Sequence, residues 1–279
     1  MNGNKLKKLI EDNEILVAPG CFDALSSLIA YKAGFKIAVM GGYSNSATQL
    51  GKPDLGILTM NEMADTIRRI TDVSPLPLIA DGDTGYGGEW NVKRCVKEYE
   101  RAGAAAIILE DQVFPKRCGH YIGKQVISKE EHGKKIQIAK DTASDMLVFA
   151  RTDALSVLGI NEAVQRGQYY LRAGADAIFI EAPKSEEELI IIGRNFKNET
   201  LIANMIEGGK TPIVSQEQLK KMGYNIVFYA LTGLFTYAKA LTECYNKLKE
   251  ENTSVSLKED MFDFNSFNEL LETSKYLNR

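Results

Sequence analysis

Short runs of consecutive apolar residues recur along the chain, separated by longer stretches in which apolar residues fall at helical spacing. The runs predict eight strands, at 15–18, 37–40, 76–80, 105–109, 146–150, 177–180, 201–203 and 226–229. Most runs are apolar at every residue rather than at every second one, which is typical of strands buried on both faces. The pattern therefore predicts a parallel sheet inside the protein.

Helices are predicted between and after these strands, at 22–33, 60–71, 92–102, 129–141, 162–173, 186–196, 216–222 and 234–250. Eight successive strand–helix units are typical of a (β/α)8 barrel of the TIM type, with a doubly wound open sheet as the alternative. The similar segments RAGAAAII and RAGADAIF support repeated units, because each carries a glycine, Gly103 or Gly174, where a helix gives way to a strand.

The length of 279 residues fits one barrel domain, which we place at 1–250, followed by a C-terminal helical extension at 251–279. The extension is rich in apolar side chains, namely Met261, Phe262, Phe264, Phe267, Leu270, Leu271 and Tyr276. So many apolar groups on a short segment need a partner surface. That surface is either the chain's own barrel or, as we favour, a neighbouring subunit.

Composition and charge exclude several function classes. Apolar residues make up 44% of the chain and charged residues 25%, as in ordinary globular proteins. The net charge of −3 argues against a nucleic-acid partner. No apolar run approaches the roughly 18 residues of a membrane helix, so we expect no membrane association and a cytoplasmic location. The four cysteines lie far apart and predict neither a disulfide framework nor a zinc ribbon.

Acidic residues directly follow several predicted strands. Asp81 and Asp83 follow the third strand, and Glu110 follows the fourth. Because the carboxyl ends of barrel strands form the active sites of TIM-barrel enzymes, these side chains are expected to meet. A cation would relieve their repulsion, and oxygen ligands with few histidines favour Mg²⁺. The alternative is that these carboxylates cap helices or pair with arginines.

Cys118 stands in the polar segment KRCGH that follows the fourth strand. A lone cysteine is more often a small buried apolar residue than a catalytic one. Here Lys116, Arg117 and His120 are expected to lower the pKa of the thiol towards working pH, which favours a chemical role. The second histidine, His132, falls in a charged helical stretch and is predicted to be solvated.

Four motifs stand at predicted strand ends: DGDTGYG, EDQVFPKRCGH, ARTDA and EAP, with GYSNSATQLGKPDLG before them and ANMIEGGKTP after them. Together they resemble the isocitrate lyase and phosphoenolpyruvate mutase superfamily. Within it, KRCGH marks the carbon–carbon lyases: isocitrate, 2-methylisocitrate and 2,3-dimethylmalate lyases, and the petal death protein group with oxaloacetate hydrolases. The phosphonate-forming mutases usually lack the Cys-Gly-His.

The resemblance implies a role for each matching position. Mg²⁺, replaceable by Mn²⁺, would be held by Asp81, Asp83, Glu110 and Asp54. Cys118 would be the general acid, carried on a mobile gating loop. The substrate pocket beneath this loop would be lined by His120, Arg151, Glu181 and Asn204. A carboxylate and a keto oxygen of the substrate would be gripped by Gly42, Tyr43 and Ser44, and we add Arg117 as a further substrate contact.

The reaction implied by the resemblance is cleavage of a 2-hydroxy dicarboxylate to pyruvate and a second acid, in a homotetramer built as a dimer of swapped dimers. Methylisocitrate lyases carry a hydroxyl side chain that helps to hold a third carboxylate, where this chain has Ile206. An apolar side chain donates no hydrogen bond, so we favour 2,3-dimethylmalate. The alternatives are 2-methylisocitrate lyase, oxaloacetate hydrolase, phosphoenolpyruvate or carboxyphosphonate phosphonomutase, and a non-catalytic binding barrel.

Overall fold

The computed structural model describes residues 2–12 and 15–277. Within them, eight strands form one sheet: β1 Leu16–Pro19, β2 Ala38–Met40, β3 Leu78–Asp81, β4 Ala106–Glu110, β5 Leu147–Thr152, β6 Ala177–Ile180, β7 Leu201–Asn204 and β8 Ile226–Tyr229. Their order is β1-β8-β7-β6-β5-β4-β3-β2, and the paired strands are parallel. A bridge between Gly20 and Val39 joins the first and second strand regions. The sheet is a nearly closed barrel, which confirms the TIM-type prediction over the doubly wound alternative.

The helices follow in chain order as α1 Asn2–Glu11, α2 Ala24–Lys32, α3 Gly42–Asn45, α4 Met60–Val73, α5 Glu89–Arg101, α6 Lys129–Thr142, α7 Leu155–Leu158, α8 Ile160–Arg172, α9 Glu186–Asn195, α10 Gln216–Met222, α11 Thr232–Glu251, α12 Phe264–Leu270 and α13 Ser274–Leu277. A π-helical turn (Ser46–Leu50) and a 3₁₀ helix (Val255–Asp260) complete them. All eight predicted helices are present, with ends within three residues of those predicted. The prediction missed α1, α3 and α7.

Local sequence explains where several helices begin and end. Thr59 caps α4 in a reciprocal arrangement in which its hydroxyl accepts from the Glu62 amide while the Glu62 carboxylate accepts from the Thr59 amide. Gly103 and Gly174 have φ angles of +97° and +104°, a region that favours glycine. The repeated glycine therefore turns the chain from a helix into the next strand, as the sequence predicts.

The strands are buried on both faces, as their apolar sequences predict. One set of side chains fills the barrel interior, including Ile79, Ile108, Phe149, Phe179 and Phe228. The intervening residues belong to a second apolar layer shared with the helices. The missed helix α1 contributes Leu6, which is fully buried in the interior cluster and adds about 2 kcal/mol by leaving water.

Compact packing divides the chain into two units, with the boundary after Gly233. The second unit contains most of α11 and the short helices that follow it, and it exposes large apolar side chains such as Phe262, Phe264 and Tyr276. The division into 1–250 and 251–279, and the packing of the extension on a neighbouring subunit, stay predictions. None of the described helices is long and apolar enough to cross a membrane.

Candidate active site

A small cavity of about 60 Å³ opens at the carboxyl ends of the barrel strands. Its lining includes most of the predicted site residues, namely Gly42, Tyr43, Asp54, Asp81, Cys118, His120, Arg151, Glu181 and Asn204. Apolar side chains from the barrel interior, Ile108, Phe179 and Phe228, form part of the same wall. The structure therefore brings together residues that are up to 162 positions apart in sequence, from Gly42 to Asn204.

The segment after β2 approaches the acidic residues closely. The Gly42 amide donates to Asp81 Oδ2 at 3.0 Å. A Cβ atom at Gly42 would lie 3.0 Å from Lys116 Nζ and 3.3 Å from a carboxylate oxygen of Asp83, so a larger residue would crowd this contact. Ser44 is fully buried, and its hydroxyl donates to the Gly41 carbonyl at 3.1 Å. Ser44 therefore supports the turn that presents Gly42 and Tyr43.

Asp54 and Asp83 share a buried lysine. Lys116 Nζ lies 2.7 Å from Asp54 Oδ1 and 2.7 Å from Asp83 Oδ1. Burial raises the pKa of Asp83 to about 7, helped by the negative charges of Asp81 and Asp54 and opposed by Lys116. Lys116 was expected only to act on the thiol, because nothing in KRCGH indicates that its side chain turns towards strands β2 and β3.

Glu110 lies beside this group with unsatisfied acceptor capacity. Within the described residues neither of its carboxylate oxygens has a hydrogen-bond partner, and the nearest cation is Arg151 Nη2 at 3.3 Å. Burial raises the pKa of Glu110 well above its usual value, although Arg151 opposes this. Free lone pairs on buried carboxylates suit a hard cation such as Mg²⁺. The described part of the chain gathers no cluster of three or more His, Cys, Asp or Glu side chains as metal ligands. The donor chemistry therefore fits Mg²⁺, while the magnesium site stays a prediction.

Arg151, on the neighbouring strand β5, is a cation of the cavity wall. Its guanidinium donates to Asp153 through Nε at 2.9 Å and through Nη2 at 3.1 Å. Its Nη1 also lies 3.4 Å from Glu181 Oε2, and Glu181 Oε1 is 3.3 Å from His120 Nε2. Burial alone would raise the pKa of Asp153, but Arg151 and Lys124 lower it to about 2. A fixed guanidinium with a polar pair behind it can bind a substrate carboxylate.

The pKa of the Cys118 thiol is raised, and the prediction of a lowered pKa was wrong. Burial raises it to about 11, more than the His120 amide and the Arg151 charge can offset. Lys116 turns towards two aspartates, and Arg117 is exposed and donates to the Ile122 carbonyl at 3.2 Å. Neither cation therefore stabilises a thiolate. A thiol that keeps its proton suits a proton donor better than a nucleophile.

Four predicted site residues are not part of the cavity lining, namely Ser44, Asp83, Glu110 and Arg117. The first three are buried, whereas Arg117 is exposed. Lys124 takes the position of a buried loop cation instead. Its Nζ donates to the Gly119 carbonyl at 2.5 Å and to Asp153 Oδ1 at 2.7 Å. Lys124 was not among the predicted site residues, since a lysine in a glycine-containing loop is normally exposed.

Asp111 and His132 lie behind the site. Asp111 accepts hydrogen bonds from the Thr152 hydroxyl at 2.7 Å, the Asp153 amide at 2.9 Å and Arg166 Nη1 at 2.9 Å. His132 was predicted to be solvated, and this was wrong: it is fully buried against the Tyr170 ring, and burial lowers its pKa to about 3. Exposed charged neighbours such as Glu130, Glu131 and Lys134 hid this position in the sequence, and Lys135, which is also buried, added to the charged pattern.

Comparison with known proteins gives the same assignment over nearly the whole chain. The family model described as phosphoenolpyruvate phosphomutase matches residues 6–249. The chain is 43% identical over 273 residues to 2,3-dimethylmalate lyase of Eubacterium barkeri, covering 97% of this chain and 94% of that protein. It is 41% identical over 273 residues to a 2-methylisocitrate lyase of Halalkalibacterium halodurans, covering 98% and 89% respectively.

A solved structure shows that the similarity includes the barrel as a whole. The structure of an oxaloacetate acetylhydrolase in complex with the inhibitor 3,3-difluorooxalacetate matches with a TM-score of 0.94 and 34% identity, covering 99% of this chain and 96% of that one. The family match covers well over half of the chain, and KRCGH lies at the cavity, where Cys118 and His120 form part of the lining. The chain therefore belongs to the phosphoenolpyruvate mutase/isocitrate lyase superfamily, and within it to the carbon–carbon lyases.

Proposed function

We propose that this enzyme is a Mg²⁺-dependent lyase that cleaves an alkylated 2-hydroxy dicarboxylate, 2,3-dimethylmalate, to pyruvate and propionate. The observation that carries the proposal is the enclosed Cys118 thiol, whose raised pKa keeps it protonated beside the Arg151 guanidinium. Cleavage of the bond between C2 and C3 leaves a carbanion on the second acid, and that carbanion needs a proton from a donor shielded from water. The similarity to 2,3-dimethylmalate lyase supports the substrate.

The metal would be held by Asp81, Asp83 and Glu110, with Asp54 organising the surrounding shell. When bound, Mg²⁺ supplies positive charge that lowers the pKa of the substrate's 2-hydroxyl group. Removal of the hydroxyl proton allows the carbonyl of pyruvate to form as the C2–C3 bond breaks. Tyr43 and Asp54 line the cavity and are the candidates for the base.

Arg151, Glu181 and His120 bind and orient the leaving half. Arg151 neutralises its carboxylate, and Glu181 holds His120 in place. The electron pair of the broken bond becomes an enolate, which takes the proton from Cys118 Sγ. Because the thiol is only 8% exposed, water competes poorly for this step.

Ile206 favours a dicarboxylate over a tricarboxylate. It lines the cavity and is 8% exposed, so it presents hydrocarbon where a third carboxylate would need a donor. Burying an unpaired carboxylate there would cost binding free energy. The second candidate remains 2-methylisocitrate, which is supported by the 41% identity to a 2-methylisocitrate lyase.

The deciding experiment measures pyruvate release with Mg²⁺ from 2,3-dimethylmalate, 2-methylisocitrate, citramalate and oxaloacetate. We expect pyruvate from 2,3-dimethylmalate, none in excess EDTA, and a fall in kcat of about 10²-fold or more in Cys118→Ala. Cys118→Ser is the matched control for packing, because it preserves the size of the side chain and removes the thiol. Pyruvate from 2-methylisocitrate alone would identify the second candidate. Oxalate and acetate from oxaloacetate would identify a hydrolase, and silence on the whole panel would favour a phosphonomutase or a binding role.

We further propose a cytoplasmic homotetramer, a dimer of swapped dimers in which the C-terminal extension packs on a neighbouring barrel. The exposed Phe264 and Tyr276 of the second unit support this, because large apolar side chains that are exposed close together in sequence favour association. Light scattering of the full chain is expected to give four times the 30.9 kDa chain mass. A monomer at micromolar concentration would contradict the assembly and leave the lyase proposal intact.

A further inference from the structure

Lys124 is a buried lysine in the loop between β4 and α6. Its side chain is 1% exposed, and its ammonium donates to the Gly119 carbonyl at 2.5 Å and to Asp153 Oδ1 at 2.7 Å. An ammonium that has lost its water is stable only where its partners are well placed. Two oxygens, one of them charged, meet this requirement. The contact therefore exists only when the loop lies against the end of β5.

The first partner places the catalytic loop. Gly119 stands between Cys118 and His120, so holding its carbonyl fixes the backbone that carries both side chains. At this point the loop lies directly on the opposite wall of the cavity. A Cβ atom on Gly119 would lie 2.5 Å from Glu181 Cγ and 2.6 Å from Arg151 Nη2. The ammonium thus holds the loop where no side chain fits between it and the wall.

The second partner connects the loop to Arg151. Asp153 uses both carboxylate oxygens to bind the Arg151 guanidinium while Oδ1 also accepts from Lys124. The Asp153 amide is in turn held by Asp111 Oδ1 at 2.9 Å. Asp153 is therefore a rigid junction between the cation that binds substrate carboxylate and the cation that holds the loop.

We propose that Lys124 is a positioning residue, which couples closure of the loop over Cys118 to the orientation of Arg151 through their shared partner Asp153. The proposal rests on the proposed function in taking Cys118 as the proton donor and Arg151 as the carboxylate ligand. Lys124 itself touches no reacting atom. Its charge holds the proton donor and the carboxylate ligand in a single arrangement.

Other contacts keep the loop attached when Lys124 is replaced. The Lys210 amide donates to His120 Nδ1 at 3.0 Å, and Lys210 Nζ donates to the Tyr121 carbonyl at 3.2 Å. Gln112 and Val126 form a bridge at the base of the loop. A variant at Lys124 is therefore expected to loosen the segment around Cys118 without unfolding the barrel.

The test compares the rate at which iodoacetamide alkylates Cys118 in the native enzyme, in Lys124→Met and in Lys124→Arg. Mass spectrometry of the labelled peptides gives the rate at each cysteine separately. We expect Lys124→Met to label Cys118 about tenfold faster, because local opening exposes the thiol. Lys124→Arg restores the charge and is expected to recover most of the protection. Lys134→Met, which removes an exposed lysine from α6, is the matched control and is expected to leave the rate unchanged.

Cys95 reports on the fold in the same samples, since it lies on α5 and is fully buried in the apolar core. Equal Cys118 rates in native enzyme and Lys124→Met would overturn the proposal. Faster labelling of Cys95 together with Cys118 would also overturn it, in favour of a general role in stability. The labelling needs no turnover, so a failure of the substrate assignment would leave this result standing. Where turnover is measured, Lys124→Met is expected to lower kcat and to raise KM, with both partly rescued in Lys124→Arg.

Discussion

The two sides of the barrel mouth treat buried carboxylates differently. On the side of β5, both oxygens of Asp153 accept hydrogen bonds from cations. Asp111 follows β4, but its side chain turns towards β5, where both of its oxygens accept hydrogen bonds as well. On the side of β3 and β4, neither oxygen of Glu110 has a hydrogen-bond partner among the described residues. Glu110 and Asp111 are consecutive in sequence, and both are buried. Adjacent acids therefore serve opposite purposes.

The difference separates structure from chemistry. A buried carboxylate whose oxygens all accept hydrogen bonds contributes to the stability of the fold, because removal of its charge leaves the surrounding donors without a charged partner. A buried carboxylate with free lone pairs costs stability until a ligand or a cation arrives. Asp111 belongs to the first kind and Glu110 to the second, and variants at the two positions make the contrast measurable.

The largest expected effect is on stability at Asp111. Asp111→Asn keeps the shape but removes the fully buried charge partner of the Arg166 guanidinium and leaves only the more exposed Glu162, so we expect the free energy of unfolding to fall by about 3 kcal/mol. Urea denaturation followed by circular dichroism measures the change. Glu110→Gln is the matched control, and we expect it to unfold at the same urea concentration as the native enzyme or a higher one. Equal destabilisation by the two variants would remove the contrast between the neighbours.

The next effect concerns pH and has opposite signs on the two sides. The pKa of Asp153 is about 2 in the folded enzyme and 3.8 as its reference, so its contribution to stability is present above about pH 4 and is lost as pH falls towards 2. The pKa of Asp83 is raised to about 7, so its contribution is present below about pH 4 and is lost as pH rises towards 7. At about 1.4 kcal/mol per pKa unit, the contribution of Asp153 is expected to be about 2 kcal/mol.

Unfolding free energies of Asp153→Asn and Asp83→Asn, each subtracted from the native value in EDTA, isolate these contributions. The native advantage over Asp153→Asn is expected to shrink at acid pH, whereas the advantage over Asp83→Asn is expected to shrink at neutral pH. If both native advantages shrank in the same direction of pH, the two sides would not differ in how they hold charge.

The smallest effect expected is stabilisation by the metal. Mg²⁺ at ten times its dissociation constant is expected to raise the free energy of unfolding by about 1.4 kcal/mol. Differential scanning calorimetry with Mg²⁺ and with EDTA measures this shift. Glu110→Gln is expected to lose most of the shift, while Asp153→Asn retains it. A full shift in Glu110→Gln would place the metal away from β4.

The fold was predictable because its signal is carried by every strand. Continuous apolar runs are what the structure requires of strands buried between the barrel interior and the helices, and the eight strands fall where these runs predicted them. Helix α1 was missed although Leu6, Leu9 and Ile10 stand at helical spacing, because these apolar residues span little more than one turn and the rest of the segment is polar.

The make-up of the candidate site was predictable in so far as its side chains stand at strand ends, where barrels carry functional residues, and the roles of these side chains stay predictions. Its electrostatics were not. Lys116 and Arg117 are adjacent, yet one side chain is buried between two aspartates and the other is exposed to solvent. Side-chain direction in a loop depends on contacts with distant strands, and these set the pKa of Cys118. Burial of Lys124 and His132 depends on the same tertiary contacts.

The enclosed, protonated state of Cys118 has a consequence for covalent inhibitors. With a pKa of about 11, only about one thiol in ten thousand is ionised at pH 7. An electrophile that relies on thiolate attack therefore finds little reactive sulfur in this conformation. Selective warheads for this enzyme are best built on a scaffold that first occupies the cavity with a carboxylate on Arg151, so that capture follows recognition rather than the intrinsic reactivity of the cysteine.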